Sequence, residues 1–103
     1  MPRKLRFSDL ALRDLEAIGD RIASDNPRRA KSFVNEMRRS CNSLREMPER
    51  FAKISRYSAL RRMVHGHYLI LYDVDDRNVE VIRILHGAMD YERILFPQEC
   101  GEN

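Results

Sequence analysis

Apolar and polar positions follow two different periods along this chain, and the main change falls near residue 60. Lys4-Leu-Arg-Phe7 alternates polar and apolar and predicts a short strand. Ser8 then suits a helix N-cap, with Asp9 in the first turn, where the helix dipole favours an acid. Ala11, Leu15, Ile18 and Ile22 recur every three or four residues and form one stripe of an amphipathic helix. Phe7 and Leu12 are spaced for a hydrophobic staple. Asp25-Asn-Pro27 breaks the pattern: Asn26 can cap a new helix, and proline is tolerated at its first position. Ala30, Phe33, Val34, Met37, Cys41 and Leu44 make a second stripe, which Pro48 ends. So short a break between two stripes predicts an antiparallel helical hairpin.

Residues 49–59 carry the weakest pattern and read as a loop with some docked apolar side chains. From Leu60 the period is two. Leu60 to His65 predicts a strand, Gly66-His67 a two-residue turn, and Tyr68 to Val74 a strand apolar on both faces, which belongs inside a sheet. Asp75 to Asn78 supplies a turn and Val79 to His86 the last long strand. Asp90 is placed to cap a short helix from Tyr91 to Phe96, stopped by Pro97.

The order β-α-α-β-β-β gives an α+β fold, with the helical hairpin on one face of a small, mostly antiparallel sheet. Length predicts a single domain over residues 1–97 and a frayed tail over 98–103. The second sheet face is left uncovered while its strands still carry large apolar residues, and an exposed apolar patch calls for a partner.

Composition narrows the class. The chain has 103 residues, 43% of them hydrophobic and 34% charged. No apolar run is long enough to span a membrane, and no signal-like stretch follows Met1-Pro-Arg-Lys4. A cytoplasmic protein is expected. Cys41 falls in the second helical stripe, where it reads as a small core residue, and Cys100 in the polar tail, so a disulfide between them is not expected. The net charge is only +3, but the basic residues comprise sixteen arginines and three lysines. Arginine presents a planar fork to carboxylates and phosphates, which admits an acidic partner or a nucleic acid.

The candidate chemistry centres on the last strands. Arg83 stands alone among apolar neighbours in Val79 to His86. Arg61 and Arg62 are consecutive on a strand and so point to opposite faces. One of them can share a face with Arg83 and with His65 or His86, beside Tyr68, Tyr72 or Tyr91. Such a basic face can grip phosphates and stack a base; it can equally be solvated or paired with an acidic partner. His86 can serve as a general acid or base, or bond a nearby carbonyl. Glu46, Glu49 and Glu80 are further bases by type alone. His65, His67 and His86 lack an evident fourth ligand for zinc, and no metal or cofactor is expected. Arg28 and Arg29 sit in the first turn of the second helix, against its dipole, either as plain exposed side chains or facing an anion. No nucleophile motif and no glycine-rich phosphate loop is present.

Nearly the whole chain resembles the RelE/ParE superfamily of bacterial toxins, and within it the ParE branch. Ala11-Leu-Arg-Asp-Leu15 with Ile18, then Ile22 to Pro27, Ala30 and Phe33-Val34, is similar to the family's helical hairpin. Leu60-Arg61, Tyr68 to Tyr72 and Val81-Ile-Arg-Ile-Leu-His-Gly-Ala88 resemble its sheet. Met89 stands where such sequences often have arginine, and Glu49-Arg-Phe51 follows Pro48 where they often have a glycine. The resemblance implies the toxin of a type II toxin–antitoxin system, neutralised in a hetero-oligomer by a ParD-like antitoxin whose tail covers the open face. Arg61, Arg62, Tyr68, Tyr72, Arg83 and His86 are then the expected antitoxin contacts. It further implies a DNA gyrase poison that acts by binding, without catalysis of its own. The alternative is a RelE-like ribosome-dependent mRNA endonuclease, whose catalytic roles would fall on Arg61, Arg62, Arg83, His86 and Tyr91. The modest positive charge and few lysines favour gyrase, because docking on ribosomal RNA gains affinity from each phosphate contact.

Overall fold

A computed structural model describes residues 3–55 and 58–87 of the chain. Its elements run β1 (Lys4–Phe7), α1 (Asp9–Ala23), α2 (Pro27–Ser43), a single 3-10 turn (Pro48–Arg50), β2 (Arg61–His65), β3 (Tyr68–Val74) and β4 (Asn78–His86). The predicted order is therefore observed. The predicted helix from Tyr91 to Phe96 and the tail lie outside the described residues.

The helix ends follow their local chemistry. Ser8 Oγ accepts the Ala11 N–H at 3.0 Å, and Asn26 Oδ1 accepts the Arg29 N–H at 3.1 Å, with Pro27 at the first position of α2. Leu12 stands 43% exposed. Ser8 also fastens the start of α1 to the sheet: its N–H donates to the Val81 carbonyl and its hydroxyl to that of Ile82. α2 stops at Ser43, five residues before Pro48, which instead opens the 3-10 turn. Met47, just before it, adopts φ +53°, a left-handed conformation that costs a non-glycine residue strain.

The sheet order is β1-β4-β3-β2. β1 pairs parallel with β4, and the other two pairings are antiparallel. β3 is interior, as its two-sided apolar sequence requires. Between β3 and β4 the register shifts by one residue: Leu71 pairs with Arg83 but Tyr72 with Val81, which leaves Ile82 as the extra residue of a bulge. Gly66, at φ +60°, makes the tight turn between β2 and β3.

The core lies between the helical hairpin and one sheet face. Ala11, Leu15 and Ile18 of α1 and Phe33, Met37 and Cys41 of α2 pack on Met63, Tyr68, Ile70, Tyr72, Val79, Val81 and Ile84. Gly19 permits the close approach of the helices, since a Cβ there would lie 3.3 Å from Val34 Cγ2. The second face is not bare as expected. Ile54 and Leu60 of the 51–60 segment fold over it and pack on Leu71 and Leu85. The Ile54 N–H donates to the Leu60 carbonyl within the segment, and the Arg62 N–H of β2 donates to the Ala52 carbonyl. Val64 remains 66% exposed and Leu69 half-buried, so part of the face stays apolar and open.

Candidate functional site

Cross-strand partners share a sheet face, so the register sorts the candidate residues. Arg61–Tyr72–Val81, Met63–Ile70–Ile84 and His65–Tyr68–His86 are rows on the helix-covered face. Arg62–Leu71–Arg83 and Val64–Leu69–Leu85 are rows on the second face. Arg61 and Arg62 do point to opposite faces, and Arg62 is the one that shares a face with Arg83. Both histidines at the row ends fall on the other side. The constellation expected on one face is divided between two.

Arg83 turns its fork back to the protein. Its Nε and Nη2 donate to the two carboxylate oxygens of Asp14 at 2.8 and 3.0 Å, and the side chains are 21% and 15% exposed. Asp14 Oδ2 also accepts the Ile84 N–H at 2.9 Å. Among the described residues β1 pairs with β4 only as far as Val81, so this N–H lies beyond the paired stretch and α1 supplies its acceptor. The hydrogen bonds to Asp14 hold the guanidinium pKa above its usual value. The sequence marks Asp14 only by its place, three residues after Ala11 and four before Ile18, on the border of the buried stripe.

Arg61 and Tyr72 both hold the 48–51 turn. Arg61 Nη1 donates to the Glu49 and Phe51 carbonyls at 3.1 and 2.6 Å. The Tyr72 hydroxyl donates to the Pro48 carbonyl at 2.6 Å, and Tyr72 has no exposed surface. A partner therefore reaches Tyr72 only if the core opens. Tyr68 is buried too, its ring centroid 5.6 Å from that of Phe33 and edge-on to His86 at 5.4 Å. His65 Nδ1 bonds Ser40 Oγ at 2.8 Å, while His67 and His86 stack with centroids 6.2 Å apart. Among the described residues, no group of three or more histidine, cysteine or acidic side chains converges as a metal site. Tyr91 and Met89 lie outside the described residues.

One groove adjoins these residues. A cavity of about 340 Å³ is lined by Val64, Gly66, His67, Tyr68, Leu69, His86 and Gly87, at the turn between β2 and β3. It joins the exposed Val64 and half-buried Leu69 of the second face to the His67–His86 pair.

Burial pushes the Cys41 thiol up to about 12, from an ordinary value of 9.0, and the Tyr72 phenol up to about 12, from 10.0. Below pH 9 both groups are protonated whether the chain is folded or not, and they place no strain on the fold. Above it the unfolded chain releases its protons first, so stability falls with rising pH until the folded groups ionise near pH 12. The urea midpoint is expected to drop steadily between pH 9 and 11, and Cys41→Ala should flatten the early part of that fall. A pH-independent midpoint over this range would show that neither group is protected by burial.

Among the described residues, no helix is long and apolar enough to cross a membrane. The chain is similar to proteins with the same architecture. It is 35% identical over 78 residues to Toxin RelE2 of Caulobacter vibrioides, covering 76% of this chain and 88% of that one. The toxin–antitoxin complex RelBE2 of Mycobacterium tuberculosis contains a chain with 26% identity and a TM-score of 0.60, over 84% of this chain and 99% of that one. The chromosomal ParDE system of P. aeruginosa contains one with a TM-score of 0.72 at 18% identity, over 82% and 95%. That last likeness is one of fold. The profile of the ParE toxin family of type II toxin–antitoxin systems, parDE, matches residues 5–91. With its helical hairpin, its β1-β4-β3-β2 sheet and this match over most of its length, the chain belongs to the ParE toxin family within the RelE/ParE superfamily.

Proposed function

We propose that this toxin acts by binding DNA gyrase and stalling it on DNA, and that an antitoxin neutralises it by covering the second sheet face. The carrying observation is the disposition of the candidate catalytic groups. Arg61 directs its Nη1 to two of the protein's own carbonyls, and Arg83 directs its Nε and Nη2 to the Asp14 carboxylate. Arg62 and His86 project from opposite sheet faces. Cleaving RNA through a 2′-hydroxyl needs a base and a cation converging on one phosphate within hydrogen-bond reach. An arrangement this dispersed suits an inhibitor that works through surface contact.

The antitoxin reading draws on the neighbouring solved structures, which are toxin–antitoxin systems. The exposed Val64 and half-buried Leu69 offer a tail an apolar seat on this face. The groove by His86 extends that seat.

A second reading, ribosome-dependent mRNA cleavage, is favoured by the relative named Toxin RelE2. It would place the chemistry on Arg62, His86 and Tyr91. Supercoiling of relaxed plasmid by gyrase separates the two. Inhibition with accumulated cleaved DNA, reversed by the antitoxin, is the expected result. A folded toxin that leaves gyrase untouched but cuts mRNA on ribosomes would replace the first reading with the second.

A further inference from the structure

The two helices of the hairpin differ in charge. α1 carries Asp9, Asp14, Glu16 and Asp20 against Arg13 and Arg21. α2 carries Arg28, Arg29, Lys31, Arg38 and Arg39 against Glu36 alone. The first turn of α2 holds two arginines and no acid, the reverse of what the dipole favours. Glu36 is already paired with Arg29 at 2.8 Å, although Arg39 is near enough to help lower its pKa. Among the described residues, no carboxylate forms an ion pair with Arg28, Lys31, Arg38 or Arg39. Arg38 instead lies over the Phe7 ring, 5.8 Å from its centroid.

The order of these residues around the helix is informative. At about 100° per residue, Asn35 and Asn42 fall near the centre line of the outer face. Arg28 and Arg39 lie on one side of that line, and Lys31 and Arg38 on the other, all within about 50°. All six residues are exposed, and the buried Phe33, Met37 and Cys41 occupy the opposite side. Two amides down the middle and two cations on either flank form a ridge about 20 Å long.

We propose that this outer face of α2 binds duplex DNA, lying along the major groove with its cations on the flanking phosphates. A helix with its side chains is about 10–12 Å across, and the major groove is about 12 Å wide. The amides at the centre then face base edges, and the arginines and lysine face the two phosphate walls. A-form RNA offers no such groove, because its major groove is deep and narrow. A protein partner is disfavoured by what the ridge lacks. Protein interfaces draw their affinity from buried apolar and aromatic anchors, and among the described residues the exposed large apolar side chains Leu10, Leu12, Met47 and Val64 lie elsewhere. Phosphate binding needs no such anchor.

The test is fluorescence anisotropy of a labelled 20-base-pair DNA duplex titrated with toxin freed of any partner, across a salt series. It uses no gyrase, so it stands or falls apart from the gyrase reading. With four phosphates contacted, the logarithm of the binding constant should fall by about 3–4 per tenfold rise in salt. The double variant K31E/R39E, shown by circular dichroism to be folded, should bind at least tenfold more weakly, with a slope lower by about two. The control R13E/R21E makes the same charge change on α1 and should bind within twofold of the unaltered protein. The proposal is overturned by any of three results. These are no binding at 50 mM salt, equal losses in the two double variants, or equal or tighter binding to an RNA duplex or to polyglutamate.

Discussion

Replacing Tyr72 by alanine is expected to destabilise the fold by about 3–5 kcal/mol, a large share of the roughly 5–15 kcal/mol by which a domain is usually stable. The ring has no exposed surface and packs in the core shared by both helices and the sheet. Its loss opens a cavity that neighbouring side chains, held in place by the backbone, fill only in part. Tyr72→Phe divides the effect. The ring stays and only the 2.6 Å bond to the Pro48 carbonyl is lost, leaving a buried acceptor without its donor. That should cost about 1–2 kcal/mol. Because Pro48 begins the turn that Arg61 also holds, the phenylalanine variant should additionally loosen residues 48–51. Urea unfolding measures both variants, and hydrogen exchange in the turn tests the local effect. If alanine costs no more than phenylalanine, the ring is not the core element its burial indicates.

Asp14→Ala is expected to cost about 2–3 kcal/mol. Breaking a fully buried ion pair by removing one partner costs about 3–5 kcal/mol, and the residual exposure of this pair discounts that figure. The carboxylate accepts three bonds, and its removal strands both the Arg83 guanidinium and the Ile84 N–H. Arg83→Met should cost less, about 1–2 kcal/mol, because Asp14 keeps the Ile84 N–H and the methionine keeps most of the apolar stem. The double variant should be less destabilised than the sum of the two, which a double-mutant cycle measures directly. The same pair bears on function. If Arg83 is structural, toxicity of Arg83→Met in cells should fall only in step with the amount of folded protein. Loss of toxicity from a protein as abundant and stable as the original would return Arg83 to the list of groups that meet the target.

Much of the fold can be read locally, since the signals that set it are local. A period of 3.6 placed Ala11, Leu15 and Ile18, and likewise Phe33, Met37 and Cys41, on buried helix faces, where they are found. The caps Ser8 and Asn26 act within three residues of their own positions. The two-sided apolar run of β3 declared an interior strand. Cys41 was legible as a core residue for the same reason. The family could be seen in the order of these patterns together with the Arg83 to Ala88 run, and the profile match bears it out.

What the sequence by itself determined, then, is the set of elements, their buried faces and the family. The tertiary structure decided which charged groups are available. Arg61 and Arg83 look alike in sequence, but a carboxylate found 69 residues away engages Arg83, and two carbonyls of a distant turn engage Arg61. The bulge at Ile82 sets which side chains share a face, and a bulge is a property of two strands in register, not of either alone. The covering of Leu71 and Leu85 by Ile54 and Leu60 likewise depends on a loop without periodicity, whose path is fixed only by what it packs against. Periodicity reports how each element faces the core; it carries no record of which long side chain meets which carboxylate across the fold, because that choice is made by proximity in three dimensions.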